Sequence, residues 1–328
     1  MEKKKVTIVI PNYNGKRFLK KCLESVEEQN YDSYETLIID NASSDGSVEY
    51  IRENFPKMKV AVMRRNLGFA GGVNMGIRMC TTPYVLLLNN DTECDPDMVK
   101  EMVATMESSD DIFSVSSRMI QYHDRTLLDD TGDLYTVLGW GIQRGVGQKV
   151  TGYQKEEDVF SACGGAALYR KYMLDRIGYF DEMHFAYLED IDLGYRAKIH
   201  GYRNVYCPKA KVYHVGSGTS GSKYNSFKVK LSARNSVYLN YKNMPLAQLI
   251  VNAPFLAAGY LVKYSFFKKI GFGADYVNGI KEGITSCHKC KKVFFRGAHL
   301  KNYIRIEAEL WKNTGIYVME FLKRRVFS

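Results

Sequence analysis

Apolar positions in the first hundred residues come in short unbroken runs, each ending in a polar knot. Residues 6–10 form a β-branched run that breaks into Pro11-Asn12-Tyr13-Asn14-Gly15, a turn-forming string. Phe18, Leu19, Cys22, Leu23 and Val26 then recur at helical spacing. Residues 35–39 predict a second strand that stops at Asp40, with Ser43, Ser44 or Asp45 placed to cap a helix carrying Val48, Tyr50 and Ile51. Residues 59–65 predict a third strand, and the glycine-rich segment 66–77 leads into a helix. A fourth run, 84–88, ends in Asn89-Asn90-Asp91, and Asp95 is placed to cap a helix with Pro96 at its first position.

Strand and helix alternate four times, and the strands are apolar throughout rather than alternating. That pattern predicts an α/β fold with a mostly parallel central sheet covered on both faces. Ligands of such sheets bind beyond the carboxyl ends of the strands. Polar clusters follow all four strands: Asn12-Tyr13-Asn14, Asp40-Asn41, Asn66, and Asn90-Asp91. Each alone reads as a turn; four in register predict a crevice. The stretch 108–213 is less regular. It holds a small-residue strand near 162–166, an acidic cluster before a helix that ends at Gly201, and two expected edge strands over 204–218.

From 224 to 243 the pattern is helical and basic, and 244–262 carries no formal charge. A membrane-spanning helix needs about 20 predominantly apolar residues, so length alone leaves spanning, core and interfacial helices open. Pro245, Pro254, Gln248 and Asn252, with Lys263, Lys268 and Lys269 following, favour an interfacial helix. The charge supports this. From Lys223 onward there are 19 Lys+Arg against 5 Asp+Glu, net +14, whereas the preceding residues carry 27 against 31, net −4. The organisation expected is an α/β domain over 1–222 and a basic helical region over 223–328. The basic end suits an anionic membrane surface, since no nucleic-acid motif accompanies it.

Seven scattered cysteines and a start without a signal-peptide pattern fit a reducing cytosol, so the expected location is cytoplasmic, peripheral on the inner face of the membrane. Cys287-His288-Lys289-Cys290 has one zinc-like spacing, with His299 the sole later ligand candidate.

The chemistry gathers at the strand ends. A single carboxylate such as Asp91 suits one divalent cation, Mg²⁺ or Mn²⁺, with phosphate oxygens completing the shell. Asp40 is placed to accept from a base or a ribose hydroxyl, and Asn12, Asn14 and Asn66 add donors and acceptors. The glycines read Gly68-x-x-Gly71-Gly72-x-x-x-Gly76, which is neither a dinucleotide fingerprint nor a P-loop. Glu189, Asp190 and Asp192 crowd one helix start. A helix dipole accounts for one acid there; three suggest that one serves as a general base toward a hydroxyl.

The segments "VTIVIPNYNG", "LIIDNASSDGS", "NLGFAGGVNMGI", "LLLNNDT" and "YLEDIDLGYR" resemble the successive motifs of family 2 glycosyltransferases, nearest the rhamnosyltransferase-like branch, over about residues 4–243. The resemblance implies a GT-A fold and an inverting transfer from a nucleotide-diphosphate sugar. Pro11, Asn12, Tyr13, Asn14, Asp40, Asn66, Gly68, Asn90 and Asp91 would line the donor site, with Asp40 on the base. Asp91 would be the metal end of the D-x-D element. Asp190 would be the base, and Glu189 would orient the acceptor or the base. His214 would reach the metal or the diphosphate, and Arg234 the diphosphate. The "ACGGA" segment, with Cys163, Gly164 and Gly165, lacks bulk and would let acceptor or donor sugar approach, and Trp140 would stack on a sugar ring.

One departure stands out: the usual element has two acids, whereas this chain reads Asn89-Asn90-Asp91. Metal binding is therefore expected to depend on the diphosphate, and Glu93 is not supported as a second ligand. The branch suggests dTDP-rhamnose as donor, with a UDP-hexose as runner-up, and a glycan or lipid-linked acceptor in cell-surface polysaccharide synthesis. A nucleotidyltransferase is the nearest other enzyme, but "PNYNGKRF" is a poor triphosphate loop. A basic nucleic-acid-binding module is the non-catalytic alternative.

Overall fold

A computed structural model describes residues 4–216 and 224–326; the domain boundary expected at 222/223 lies outside them. The chain opens with β1 (Val6–Asn12), α1 (Lys16–Glu27), β2 (Tyr34–Asp40), α2 (Ser47–Asn54), β3 (Lys59–Val62), α3 (Gly68–Met79) and β4 (Tyr84–Leu88). Then come β5 (Thr92–Cys94), α4 (Met98–Glu107), β6 (Ile112–Gln121), β7 (Leu128–Asp130), β8 (Asp133–Tyr135), β9 (Gly141–Gln143), β10 (Glu157–Val159) and β11 (Ala166–Arg170). After α5 (Lys171–Ile177), α6 (Glu189–Ile199) and β12 (Arg203–His214), four helices follow: α7 (Ser226–Asn243), α8 (Leu246–Lys269), α9 (Gly273–Ser286) and α10 (Leu300–Val326).

The main sheet runs β10-β12-β6-β11-β4-β1-β2-β3. The four strands expected from the sequence pair in parallel as β4-β1-β2-β3, so their carboxyl ends share one edge. β11 enters antiparallel between β4 and β6, which brings residues 163–165 to that same edge. Apolar side chains from both faces explain the unbroken runs. Ile8, Ile10, Leu86 and Leu88 pack with α1 and α4, and Val9, Val85 and Leu87 with α3.

Two local expectations need correction. The stretch after Gly201 is one long strand, β12, with a register shift between Tyr206 and Lys211, and it lies inside the sheet between β10 and β6. The sequence showed two apolar pieces because the irregularity separates them. The helix after Pro96 begins at Met98 with Asp97 as its cap residue, while Asp95 accepts from the Asp97 amide instead. Asp45 does close the start of α2, accepting from the Ser47 amide at 3.1 Å.

The C-terminal helices share a core with the sheet domain. Leu239, Leu256, Tyr303, Ile306 and Leu310 pack against Tyr135, Phe160 and Tyr195. Only α8 is long and apolar enough to cross a membrane among the described residues, and 22% of its apolar window is buried. His299 rests against His200, with ring centroids 5.0 Å apart, and the described residues form no metal-ligand group with the Cys287/Cys290 pair.

Candidate active site

At the shared edge, Asn12 aligns with Asp40 across β1 and β2. The Asn90 side chain donates to Asn12 Oδ1 at 2.7 Å, and Asn12 donates to Asp40 Oδ2 at 2.9 Å and Ser43 Oγ at 3.1 Å. Asp40 Oδ1 accepts from the Ser43 amide, and the whole residue is buried. Asp40 braces the loop through both oxygens, each accepting one hydrogen bond, which leaves acceptor capacity on the carboxylate for the expected base. The exposed groups at this corner belong to Tyr13 and Asn14, behind Pro11. Asn14 accepts from the Ser44 amide at 2.8 Å. Asn66 accepts from the Gly68 amide at 2.8 Å and so opens α3. Gly68 sits at φ 74°, and a side chain there would meet Phe185 at 2.5 Å. This position needs glycine for close packing.

Asp91 faces the last residue of β12. His214 Nε2 lies 3.3 Å from Asp91 Oδ1, and its Nδ1 lies 2.7 Å from Asp129 Oδ2. Burial works against a charged ring, but the Asp129 and Asp91 carboxylates outweigh it and raise the His214 pKa to about 10. Asp129 fixes the ring so that Nε2 points at Asp91, the arrangement seen where a carboxylate orients a metal-bound histidine. Once a cation displaces the His214 proton, one oxygen and one nitrogen donor converge there and fit Mg²⁺ or Mn²⁺ that takes its remaining ligands from a diphosphate. Glu93 is paired with Arg125 at 2.9 Å and is not part of this group.

The acidic cluster on α6 separates into three different roles. Asp190 Oδ1 accepts from the Ile191 amide at 2.8 Å and Oδ2 from the Gly164 amide at 3.2 Å. Burial raises its pKa, against the pull of those amides. Glu189 is buried, and its Oε2 has no hydrogen-bond partner among the described residues. Burial, then the nearby Asp190 charge, raises its pKa well above the usual carboxylate range. Asp192 is structural. It is fully buried, 2.9 Å from Lys242, 3.0 Å from Arg196, and accepts from Asn243 at 2.7 Å.

Phe185, Tyr187 and Leu188 all have positive φ, at 63°, 71° and 66°. Such bulky residues are costly in the left-handed region, and the strain persists only where surroundings enforce it. Here α7 enforces it. Asn235 Nδ2 donates to the carbonyls of His184, Ala186 and Tyr187 at 2.8–2.9 Å. Arg234 donates to the carbonyls of Met183 and His184 and pairs with Glu282 at 3.1 Å. Arg234 is thus corrected from a diphosphate contact to a clamp on the loop that carries the acids. Trp140 is corrected as well. It is buried, donates to the Gly259 carbonyl at 3.2 Å and meets the Tyr317 ring edge-on at 5.4 Å, so it offers no ring face to a sugar.

Gly164 does lie beside the acid, its amide donating to Asp190 Oδ2, while Gly165 faces Asn89 and Met119. The sequence reading missed Asp129, Asp130 and Asp133. The signal was present as three aspartates in "LDDTGD", a denser acidic run than a turn requires.

Comparisons with known proteins give the family and the fold. Residues 7–178, more than half of the chain, match the family described as glycosyl transferase family 2. An uncharacterized Escherichia coli glycosyltransferase, YibD, is 34% identical over 111 residues, covering 33% of this chain and 32% of its own length. A Mycobacterium tuberculosis N-acetylglucosaminyl-diphospho-decaprenol L-rhamnosyltransferase is 22% identical over 237 residues, covering 65% of this chain and 77% of its own. Among solved structures, Staphylococcus aureus TarS with UDP-GlcNAc overlays with a TM-score of 0.58 at 17% identity, over 86% of this chain and 81% of that one. The chain belongs to glycosyl transferase family 2 and carries its GT-A fold.

Proposed function

We propose that the chain is an inverting glycosyltransferase that moves a sugar, rhamnose from dTDP-rhamnose first among candidates, onto a hydroxyl of a glycan or lipid-linked glycan. The observation that carries this is the placement of two unlike acid centres at one sheet edge. Asp91, with His214, suits a metal-held diphosphate; Asp190, held by two backbone amides, suits a base. The rhamnosyltransferase named above supports the sugar, and its name places its acceptor on a lipid diphosphate.

Asp91 and His214 would hold Mg²⁺ or Mn²⁺, which supplies charge neutralisation for the departing diphosphate. Asp190 takes the acceptor proton as the hydroxyl oxygen attacks the anomeric carbon from the face opposite the diphosphate, inverting that centre. Burial raises its proton affinity, the direction a base needs to take a hydroxyl proton. Asn90, Asn12 and Asp40 keep the loop under the nucleotide rigid, leaving Tyr13 and Asn14 to meet it. Residues 163–165 leave room for the acceptor beside Asp190.

The C-terminal helices support a membrane-bound acceptor. Leu246, Ile250, Leu261, Phe294 and Ile304 are all more than half exposed, and Lys268, Lys269, Lys291 and Lys292 are interspersed with them. Apolar side chains among basic ones suit an anionic lipid surface, where each Lys or Arg adds about 1 kcal/mol. The enzyme would then work peripherally at the cytoplasmic face.

A panel of nucleotide sugars, scored by release of nucleoside diphosphate, tests the donor. One nucleotide sugar should be turned over well above the rest, and Asp190→Asn should still bind it while losing about 10²–10⁴-fold in transfer. Wild-type transfer rates in that variant would remove the base assignment. For the membrane, Ile250→Ser with Leu261→Ser should release the chain from anionic vesicles in flotation; unchanged flotation would exclude these helices as the contact.

A further inference from the structure

Next to the proposed donor site lies a second group of ligating side chains to which the transfer reaction assigns no metal or proton role. Asp130 ends β7, Asp133 begins β8 and Cys163 precedes β11. Their donor atoms all lie within 4.8 Å of one another. Asp130 is completely buried; its Oδ1 accepts from the Gly132 amide, and its Oδ2 has no hydrogen-bond partner among the described residues. Asp133 is 5% exposed, whereas Cys163 is half-buried and opens the group toward the crevice. The charged neighbours that bear on Asp133 and Cys163 are all acids: Asp130, Asp190 and Glu189 for the first, Asp130, Asp133 and Asp190 for the second. A buried carboxylate oxygen without a partner is costly, and a group of them invites a cation.

We propose that Asp130, Asp133 and Cys163 form a second divalent-cation site, separate from Asp91 and His214, that takes a thiolate-tolerant ion such as Zn²⁺. The ligand set decides the class of ion. Mg²⁺ wants a shell of oxygens in near-octahedral order, whereas two carboxylates and a thiolate suit Zn²⁺ or Co²⁺. Three protein ligands would leave a fourth tetrahedral position for water or a substrate atom, and Cys163 is the one member of the group that is not fully buried. No side chain is shared with the first site, although Asp129, next to Asp130, orients His214. The assignment does not depend on the identity of donor or acceptor.

Cobalt titration of the full chain without nucleotide tests the site, because a Co²⁺–thiolate bond gives a near-ultraviolet charge-transfer band. One Co²⁺ should bind with that band, and Zn²⁺ should displace it. The band should persist in Asp91→Asn and vanish in Cys163→Ser. Asp133→Asn should weaken Co²⁺ by at least about tenfold, since even outer-sphere partners of metal ligands cost 10–100-fold. Wild-type protein that shows no thiolate band at saturating Co²⁺ overturns the site without reference to any variant. A band that survives Cys163→Ser, in protein whose circular dichroism matches wild type, overturns it too, as does unchanged affinity in Asp133→Asn. Because no sugar transfer is measured, failure here is distinct from failure of the proposed reaction.

Discussion

Replacing Asp192 with asparagine separates stability from chemistry within three acids that sit within four residues of one another. The side chain is fully buried, and it joins Lys242 and Asn243 of α7 to Arg196 of its own helix. Breaking a buried pair from one side costs about 3–5 kcal/mol, because the other charge is left behind. Two contacts soften the loss. Lys242 keeps Asp181 at 2.7 Å, and Arg196 keeps the carbonyls of Ile177, Gly178 and Tyr179. The lower end of the range, about 3 kcal/mol, is therefore expected. With an unfolding entropy of about 2.1 cal/mol/K per residue, that lowers Tm by roughly 4 °C for 328 residues. The pH dependence has a definite sign. Burial alone would raise the Asp192 pKa, but Lys242 and Arg196 outweigh it and hold it well below the usual value. Its contribution is then full above the unfolded carboxyl pKa, about 3.9, and is lost as pH falls toward the lower folded value. Urea denaturation of both proteins between neutral and acidic pH measures the difference, which should shrink as pH drops below about 4. A difference under about 1 kcal/mol at neutral pH would refute the buried-network argument.

Asp129→Asn should weaken Mn²⁺ binding in the presence of a nucleoside diphosphate by about 10–100-fold, read by electron paramagnetic resonance of free Mn²⁺; unchanged affinity would show that His214 needs no orienting carboxylate. Calorimetry should find Mn²⁺ binding weak without nucleotide and markedly tighter with it, because Asp91 and His214 supply so few donors; tight binding to the bare protein would contradict that. Asn235→Ala should leave the fold intact by circular dichroism but lower transfer by about 10²-fold, the scale of a 1 Å misplacement of catalytic groups. A wild-type rate would mean that the left-handed loop holds its shape unaided.

What the sequence disclosed is divided by range. Asn12, Asp40 and Asn90 were legible because each ends a strand whose apolar run is local, and parallel pairing then aligns the ends automatically. Asp91 and Asp190 were singled out through motifs. Arg234 and Trp140 were misplaced because their partners lie 48 to 119 positions away, where no local pattern reports them. Asp129, Asp130 and Asp133 were passed over because β7 and β8 are three-residue strands, too short to give a periodic signal. The interior place of β12 depends on β10 and β6 pairing from both sides, which periodicity within β12 cannot report.

The clamp on residues 184–187 also sets an order of events during synthesis. Asn235 lies 48 to 51 positions after the carbonyls it holds. A growing chain that has already exposed Glu189 and Asp190 lacks the helix that forces Phe185, Tyr187 and Leu188 into place. Until α7 emerges and docks, the nascent protein holds the strand-end loop of Asn12 and Asp40 but not the proposed base, Asp190. On the proposed roles, catalytic competence therefore arrives late, when the segment bearing the C-terminal helices begins to leave the ribosome, and an unfinished chain is poorly equipped to squander activated sugar on water.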